Sequence, residues 1–156
     1  ATVGTDDSTQ TQLCLDDYYV PAFVGSCSTQ LLGRWGEDRA AEWLVRQGLV
    51  IVDRNWRFRG GELDIVATMN SCVVNSPTVC AVVEVKTRRT QFFGGGVEAI
   101  TRKKQQTLRR GMSQWLTAHP DIHPQFIRID LIDIAVHPPS DGMPWRCSLE
   151  HFEEVA

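Results

Sequence analysis

The segment Ala81-Val82-Val83-Glu84-Val85-Lys86 constrains the fold more than any other stretch. It is far shorter than a membrane span and too continuously apolar for a half-solvated strand. Such a run reads as the central strand of a sheet covered on both faces. A covered middle strand needs helices above and below it. The flanking sequence supplies two. Leu32, Trp35, Ala40, Trp43 and Leu44 recur at roughly helical spacing over 31–47, and Gly48 suits the stop. A second helix is expected from Thr101 to Ala118, with Leu108, Met112, Trp115 and Leu116 as its core stripe. His119-Pro120 ends it.

Strands are expected at Leu49–Asn55, Glu62–Thr68, Val79–Thr87 and Phe126–Val136. Arg57-Phe58-Arg59-Gly60-Gly61 turns the first two into a hairpin, and Arg146–Glu150 adds a short edge strand. Asn70–Thr78 and Gln91–Gly96 read as loops. The order α-β-β-β-α-β predicts an α/β fold, a mixed four-stranded sheet flanked by helices. Residues 1–28 are rich in Thr, Ser, Asp and Gln without a clear period. They read as a disordered acidic tail, with the domain occupying 29–156.

Chemistry enters on the central strand. Side chains alternate, so Glu84 and Lys86 share one face while Val83 and Val85 take the other. A charge in a buried strand is costly unless it is paired or metal-bound. A Glu–Lys ion pair at the strand end would satisfy that rule. Asp64 opens a second reading. Alternation puts Leu63 and Ile65 on one face of the preceding strand, and Glu62 and Asp64 on the other. If the two strands pair, Asp64 and Glu84 converge. Two carboxylates with open water positions suit Mg²⁺ or Mn²⁺. Lys86 then stands ready to hold a water or offset charge on phosphorus. Glu37, on the first helix near Ala40 and Ala41, is a further acid that can face the sheet; the other reading is a first-turn acid favoured by the helix dipole. Glu62 either ligates or answers Arg57 or Arg59.

The net charge of −3 hides a segregation. Residues 1–30 carry −4, residues 137–156 carry −3, and residues 31–136 carry +4. The stretch 86–110 alone carries +7. Arg88, Arg89, Arg102, Lys103, Lys104 and Arg110 form a candidate polyanion-binding surface, since such a patch gains affinity through counterion release. The other reading is a solvated helix face. Phe92 and Phe93 are read first as core-facing loop anchors, with base stacking as the alternative. His119 and His123 are set apart by Pro120 and Pro124 and are not expected to ligate metal. Cys14, Cys27, Cys72, Cys80 and Cys147 form no CxxC pair, which argues against a disulfide framework or a zinc site. No apolar run approaches the roughly 18 residues of a membrane span, and residues 1–30 lack the basic and apolar regions of a secretory signal. A cytoplasmic location is expected, with no membrane partner.

Several blocks together resemble the YraN-like family, small bacterial proteins of the PD-(D/E)XK nuclease superfamily. They are Gly33-Arg34-Trp35-Gly36-Glu37, then Asn55-Trp56-Arg57, then Gly61-Glu62-Leu63-Asp64-Ile65-Val66-Ala67. Val83-Glu84-Val85-Lys86-Thr87-Arg88, Glu98-Ala99-Ile100-Thr101 with Lys104, and Arg128-Ile129-Asp130-Leu131 follow in order. The resemblance runs from about Leu32 to Val136. It implies a restriction-endonuclease-like core, with Asp64 and Glu84 as metal-binding acids and Lys86 as catalytic lysine. It also makes Glu37 similar to the helix-borne acid of the archaeal Holliday-junction-resolvase-like branch, where that acid assists the metal directly or through water. The sequence departs from the family in the enlarged Asn70–Thr78 loop, in residues 1–30, and in Arg102, which stands where a proline is usual.

The expectation is a Mg²⁺- or Mn²⁺-dependent endonuclease acting on nucleic acid, DNA ahead of RNA, with branched substrates and a homodimer both open to it. The alternative is a non-catalytic nucleic-acid-binding module on the same fold. A weaker third reading is an adaptor that recruits a partner through its acidic tails.

Overall fold

The computed structural model describes residues 10–14, 20–70, 77–90, 100–140 and 142–155. The expectations for Phe92, Phe93 and the Gln91–Gly96 loop, for 71–76 and for residues 1–9 and 15–19 fall outside that set.

Helix α1 spans Thr29–Arg46. The Ser28 hydroxyl caps it by accepting the Leu31 N–H at 3.2 Å. Gly48, at φ +89°, follows the last turn, where a left-handed residue ends a helix without a Cβ penalty. Helix α2 spans Arg102–Ala118, and Thr101 accepts the Lys104 N–H at 3.1 Å. The strands are β1 (Gln10–Cys14), β2 (Val50–Phe58), β3 (Gly61–Asn70), β4 (Pro77–Arg89), β5 (Phe126–His137) and β6 (Arg146–Phe152).

The order across the sheet is β1-β6-β5-β4-β3-β2. Among the described strands only β4 and β5 run parallel; the other pairs are antiparallel. The chain therefore has the expected mixed α/β architecture, but the sheet holds six strands among the described residues rather than four. Segment 146–152 is no edge, because β1 pairs along it from Gln10↔Phe152 to Cys14↔Ser148. Its alternate residues Cys147, Leu149 and His151 are buried, which ties the strand firmly into the layer.

Two apolar layers sandwich the sheet. Leu32, Trp35, Ala40, Trp43 and Leu44 of α1 pack on Ile65, Ala67, Ala81, Val83, Ile132 and Ile134. Leu108, Met112 and Trp115 of α2 pack on Leu63, Val66, Val82, Ile129 and Leu131. Val82 and Val83 are both fully buried, one in each layer, as a central strand requires.

Packing extends ahead of Thr29. Val20 and Val24 are buried in the α1 layer. The Arg89 guanidinium fixes this segment by donating to the carbonyls of Val24 at 2.9 Å and Cys27 at 2.6 Å.

Candidate active site

The strand register brings the two carboxylates together. Ile65 of β3 lies opposite Val83 of β4, so the next position outward sets Asp64 across from Glu84. The Asp64 carboxylate accepts the Val85 backbone N–H at 2.9 Å through Oδ2. This bond crosses the strand gap and locks the side chain against β4. Burial pushes the Asp64 carboxyl up to about 7, reinforced by the negative charge of Glu84.

Strict alternation does not survive at this point. Leu63 packs in the α2 layer and Ile65 in the α1 layer, so the two do not share a face as expected. The partner strand β2 is irregular at the same level. Asn55 has φ +51°, a left-handed conformation, between the pairs Arg54↔Ile65 and Trp56↔Leu63. The hairpin changes face there, and Asp64 sits at the change.

Asn55 does a second job. With its amide nitrogen directed to the acids, it donates to Glu37 Oε2 at 3.0 Å and Glu62 Oε1 at 2.9 Å. Glu37 thus faces the sheet edge. Its carboxyl is raised above the ordinary range, first by burial and then by the charge of Asp64. Helix α1 can come this close because Gly36 leaves no side chain between it and β4: a Cβ there would overlap the Thr87 hydroxyl. Glu37, Asn55 and Glu62 border an open groove of about 700 Å³, which Arg34, Arg54 and Arg57 also line.

The Glu84 side chain is 12% exposed. Its Oε1 pairs with the Lys104 ammonium at 3.3 Å. Its Oε2 is buried and has no hydrogen-bond partner among the described residues. The strand-end ion pair anticipated for Glu84 is therefore made by helix α2, not by Lys86. Lys86 stands two residues on, with Asp133 as its register neighbour on β5.

The residues do fit a hard divalent cation in donor chemistry. Asp64 and Glu84 offer carboxylate oxygens from neighbouring strands, and Glu84 Oε2 is an unsatisfied acceptor. The arrangement is narrower than the expected triad. Among the described residues no three His, Cys, Asp or Glu side chains are grouped closely enough to hold a metal ion. Asp64 and Glu84 form the pair, and Glu37 stands beside them under the control of Asn55.

The basic surface is divided. Arg102, Lys103 and Arg110 are exposed along α2. Arg88 pairs with the nearly buried Asp133 at 3.3 Å. Arg89 is committed to Val24 and Cys27, so it does not join the α2 face. Of the histidines, His119 stacks on Trp115 with ring centres 3.9 Å apart and contacts the Trp115 carbonyl through Nδ1 at 2.7 Å. Among the described residues no helix is long and apolar enough to cross a membrane.

Two residues of the site escaped the sequence reading of their roles. Asn55 had one legible signal, an asparagine inside a strand pattern, since asparagine tolerates left-handed φ. Lys104 was legible as part of the basic surface and of a family block, but nothing local links position 104 to position 84.

A six-stranded mixed sheet between two helices, with acids from β3 and β4 meeting at its rim, has the architecture of the restriction-endonuclease-like fold. Comparison with known proteins then places the chain: residues 36–134 match the uncharacterised protein family UPF0102, and the chain belongs to that family. A UPF0102 protein of Kineococcus radiotolerans is 41% identical over 105 residues, covering 67% of this chain and 80% of the relative. One of Beutenbergia cavernae is 43% identical over 103 residues, covering 66% and 80%. One of Streptomyces griseus is 41% identical over 113 residues, covering 72% and 87%. All three relatives are bacterial, and the archaeal branch that Glu37 suggested gains nothing from them.

Proposed function

We propose that this protein is a divalent-metal-dependent endonuclease that hydrolyses phosphodiester bonds of nucleic acid, DNA ahead of RNA. The observation that carries the reading is the cross-strand placement of Asp64 and Glu84, locked by the Val85 N–H. Two carboxylates held this close repel each other, and a cation between them removes the repulsion. Asp64 and Glu84 would hold Mg²⁺ or Mn²⁺, with Glu37 beside them. Bound there, the cation supplies a Lewis acid for a phosphodiester oxygen.

The chain's own groups account for the rest. Lys86, on the strand face of Glu84, orients water and offsets the charge that builds on phosphorus. Arg102, Lys103 and Arg110 hold the backbone of the nucleic acid through exposed positive charge. Asn55 keeps Glu37 and Glu62 in fixed orientation, so the acids at the groove do not scatter.

A cleavage panel of duplex, single-stranded, flapped and branched substrates, with Mg²⁺ and with Mn²⁺, tests this. Cleavage by the wild type, lost in Asp64→Ala with binding retained, is the expected result. One observation favours a second reading, a binding module without turnover: no third acid is grouped with the pair among the described residues. Binding without cleavage of any substrate, equal in wild type and Asp64→Ala, would select it.

A further inference from the structure

We propose that Lys104 is a displaceable counter-cation: its ammonium neutralises Glu84 until a divalent cation takes the carboxylates, and the released ammonium then binds the phosphodiester backbone. The inference rests on the metal-dependent reading above and adds a residue from α2 to it.

Five observations carry it. The Lys104 ammonium lies 3.3 Å from Glu84 Oε1, so it neutralises the acid that a cation would need. It holds only half of that carboxylate, since Oε2 has no partner among the described residues. The two partners differ in freedom: the lysine side chain is 42% exposed and the glutamate 12%. Only the ammonium can leave toward water, on a flexible four-carbon stem. The stem's root is fixed, because Thr101 caps α2 by accepting the Lys104 N–H at 3.1 Å. Beside it, Arg102 and Lys103 are exposed at the positive end of the helix, where phosphate is favoured. The departing lysine therefore has a counter-charge to go to once a nucleic-acid backbone lies along α2.

Two like-signed cations cannot share Glu84 without repulsion, so each weakens the other. Nucleic acid should then assist metal binding by drawing the ammonium away, and metal should assist nucleic acid by releasing it. A lysine that served only to solvate the helix face would show neither effect.

The experiment is a titration of the full chain with Mn²⁺ alone, followed by calorimetry and by the shift in melting temperature. Wild type, Lys104→Met and Lys104→Arg are compared, and their cleavage of the same DNA panel is measured. Lys104→Met should bind Mn²⁺ about tenfold more tightly, on the order expected for removing one nearby charge in a partly solvated site. It should nevertheless cleave at least about tenfold more slowly, from loss of one phosphate contact of roughly 1.4 kcal/mol or more. Lys104→Arg keeps the charge and should shift both values less than Lys104→Met does. Unchanged or weaker Mn²⁺ affinity in Lys104→Met overturns the counter-cation role. Tighter Mn²⁺ binding with unchanged cleavage overturns the phosphate role. Absence of Mn²⁺ binding by the wild type removes the metal-dependent reading itself, and this inference with it.

Discussion

Asp64 accepts the backbone N–H of Val85 from the neighbouring strand at 2.9 Å, and so faces Glu84 across the gap between β3 and β4. A carboxylate spent on a strand amide is fixed in place but not neutralised. The consequences reach stability as well as chemistry.

The metal-free protein should lose stability as pH rises toward neutrality. Asp64 ionises at about 7 in the folded chain against an ordinary value of 3.8. The folded state therefore holds a proton that the unfolded state has released. That contribution is fully present below about pH 4 and is lost as pH rises through about 7. Melting in a chelating buffer should give a lower melting temperature at pH 8 than at pH 5.5. Asp64→Asn should flatten this difference, and a slope equal to wild type would remove Asp64 as its source.

Asn55 combines a backbone role and a side-chain role that substitution can separate. Asn55→Gly keeps access to the left-handed φ but leaves Glu37 and Glu62 without their shared donor. Asn55→Ala loses both and should be less stable than Asn55→Gly by about 1 kcal/mol. Urea midpoints measure that difference. Both variants should cleave more slowly than wild type. Full activity in Asn55→Gly would reduce Asn55 to a backbone device.

Asp130 is more deeply buried than Asp64 but belongs to a structural network. It accepts from Arg128 Nε at 2.9 Å and contacts His151 Nε2 at 2.9 Å, while Trp43 donates to His151 Nδ1 at 3.1 Å. This chain ties α1 to β5 and β6. Asp130→Ala removes the shared acceptor of Arg128, His151 and the Glu154 backbone N–H and should cost roughly 3–5 kcal/mol. Mn²⁺ affinity of the folded protein should be unchanged. A fall in affinity without loss of stability would place Asp130 in the site.

The arginines and lysines of the basic stretch should divide by salt dependence. Lys103→Ala and Arg110→Ala should each weaken DNA binding and lower the slope of log K against log salt by about 1. Arg89→Ala should leave that slope unchanged and instead lower the melting temperature, because its guanidinium holds the Val24–Cys27 segment. Mobility shifts at several salt concentrations, beside melting curves, separate the two outcomes.

Much of this molecule is written locally. The apolar run at 79–87 could only be a covered strand, and β4 is one. The periodic Trp and Leu positions of 31–47 and 101–118 became α1 and α2 within two residues at each end. Alternation puts Glu84 and Lys86 opposite Val83 and Val85, which both pack in the α1 layer. Those features follow from contacts within a few residues, so the sequence carries them on its own.

Tertiary structure decided the rest, because it depends on groups far apart in the chain. Pairing with β1 turned the expected edge strand β6 into an interior one. The alternation of β3 breaks opposite the left-handed Asn55 of β2, and the Val85 N–H fixes the Asp64 carboxylate. Lys104 meets Glu84, and Arg89 meets Val24, only after helices and strands have packed. Charge says that such side chains need partners; three-dimensional packing chooses which ones, since the energy of a pair depends on distance and burial that no local pattern encodes.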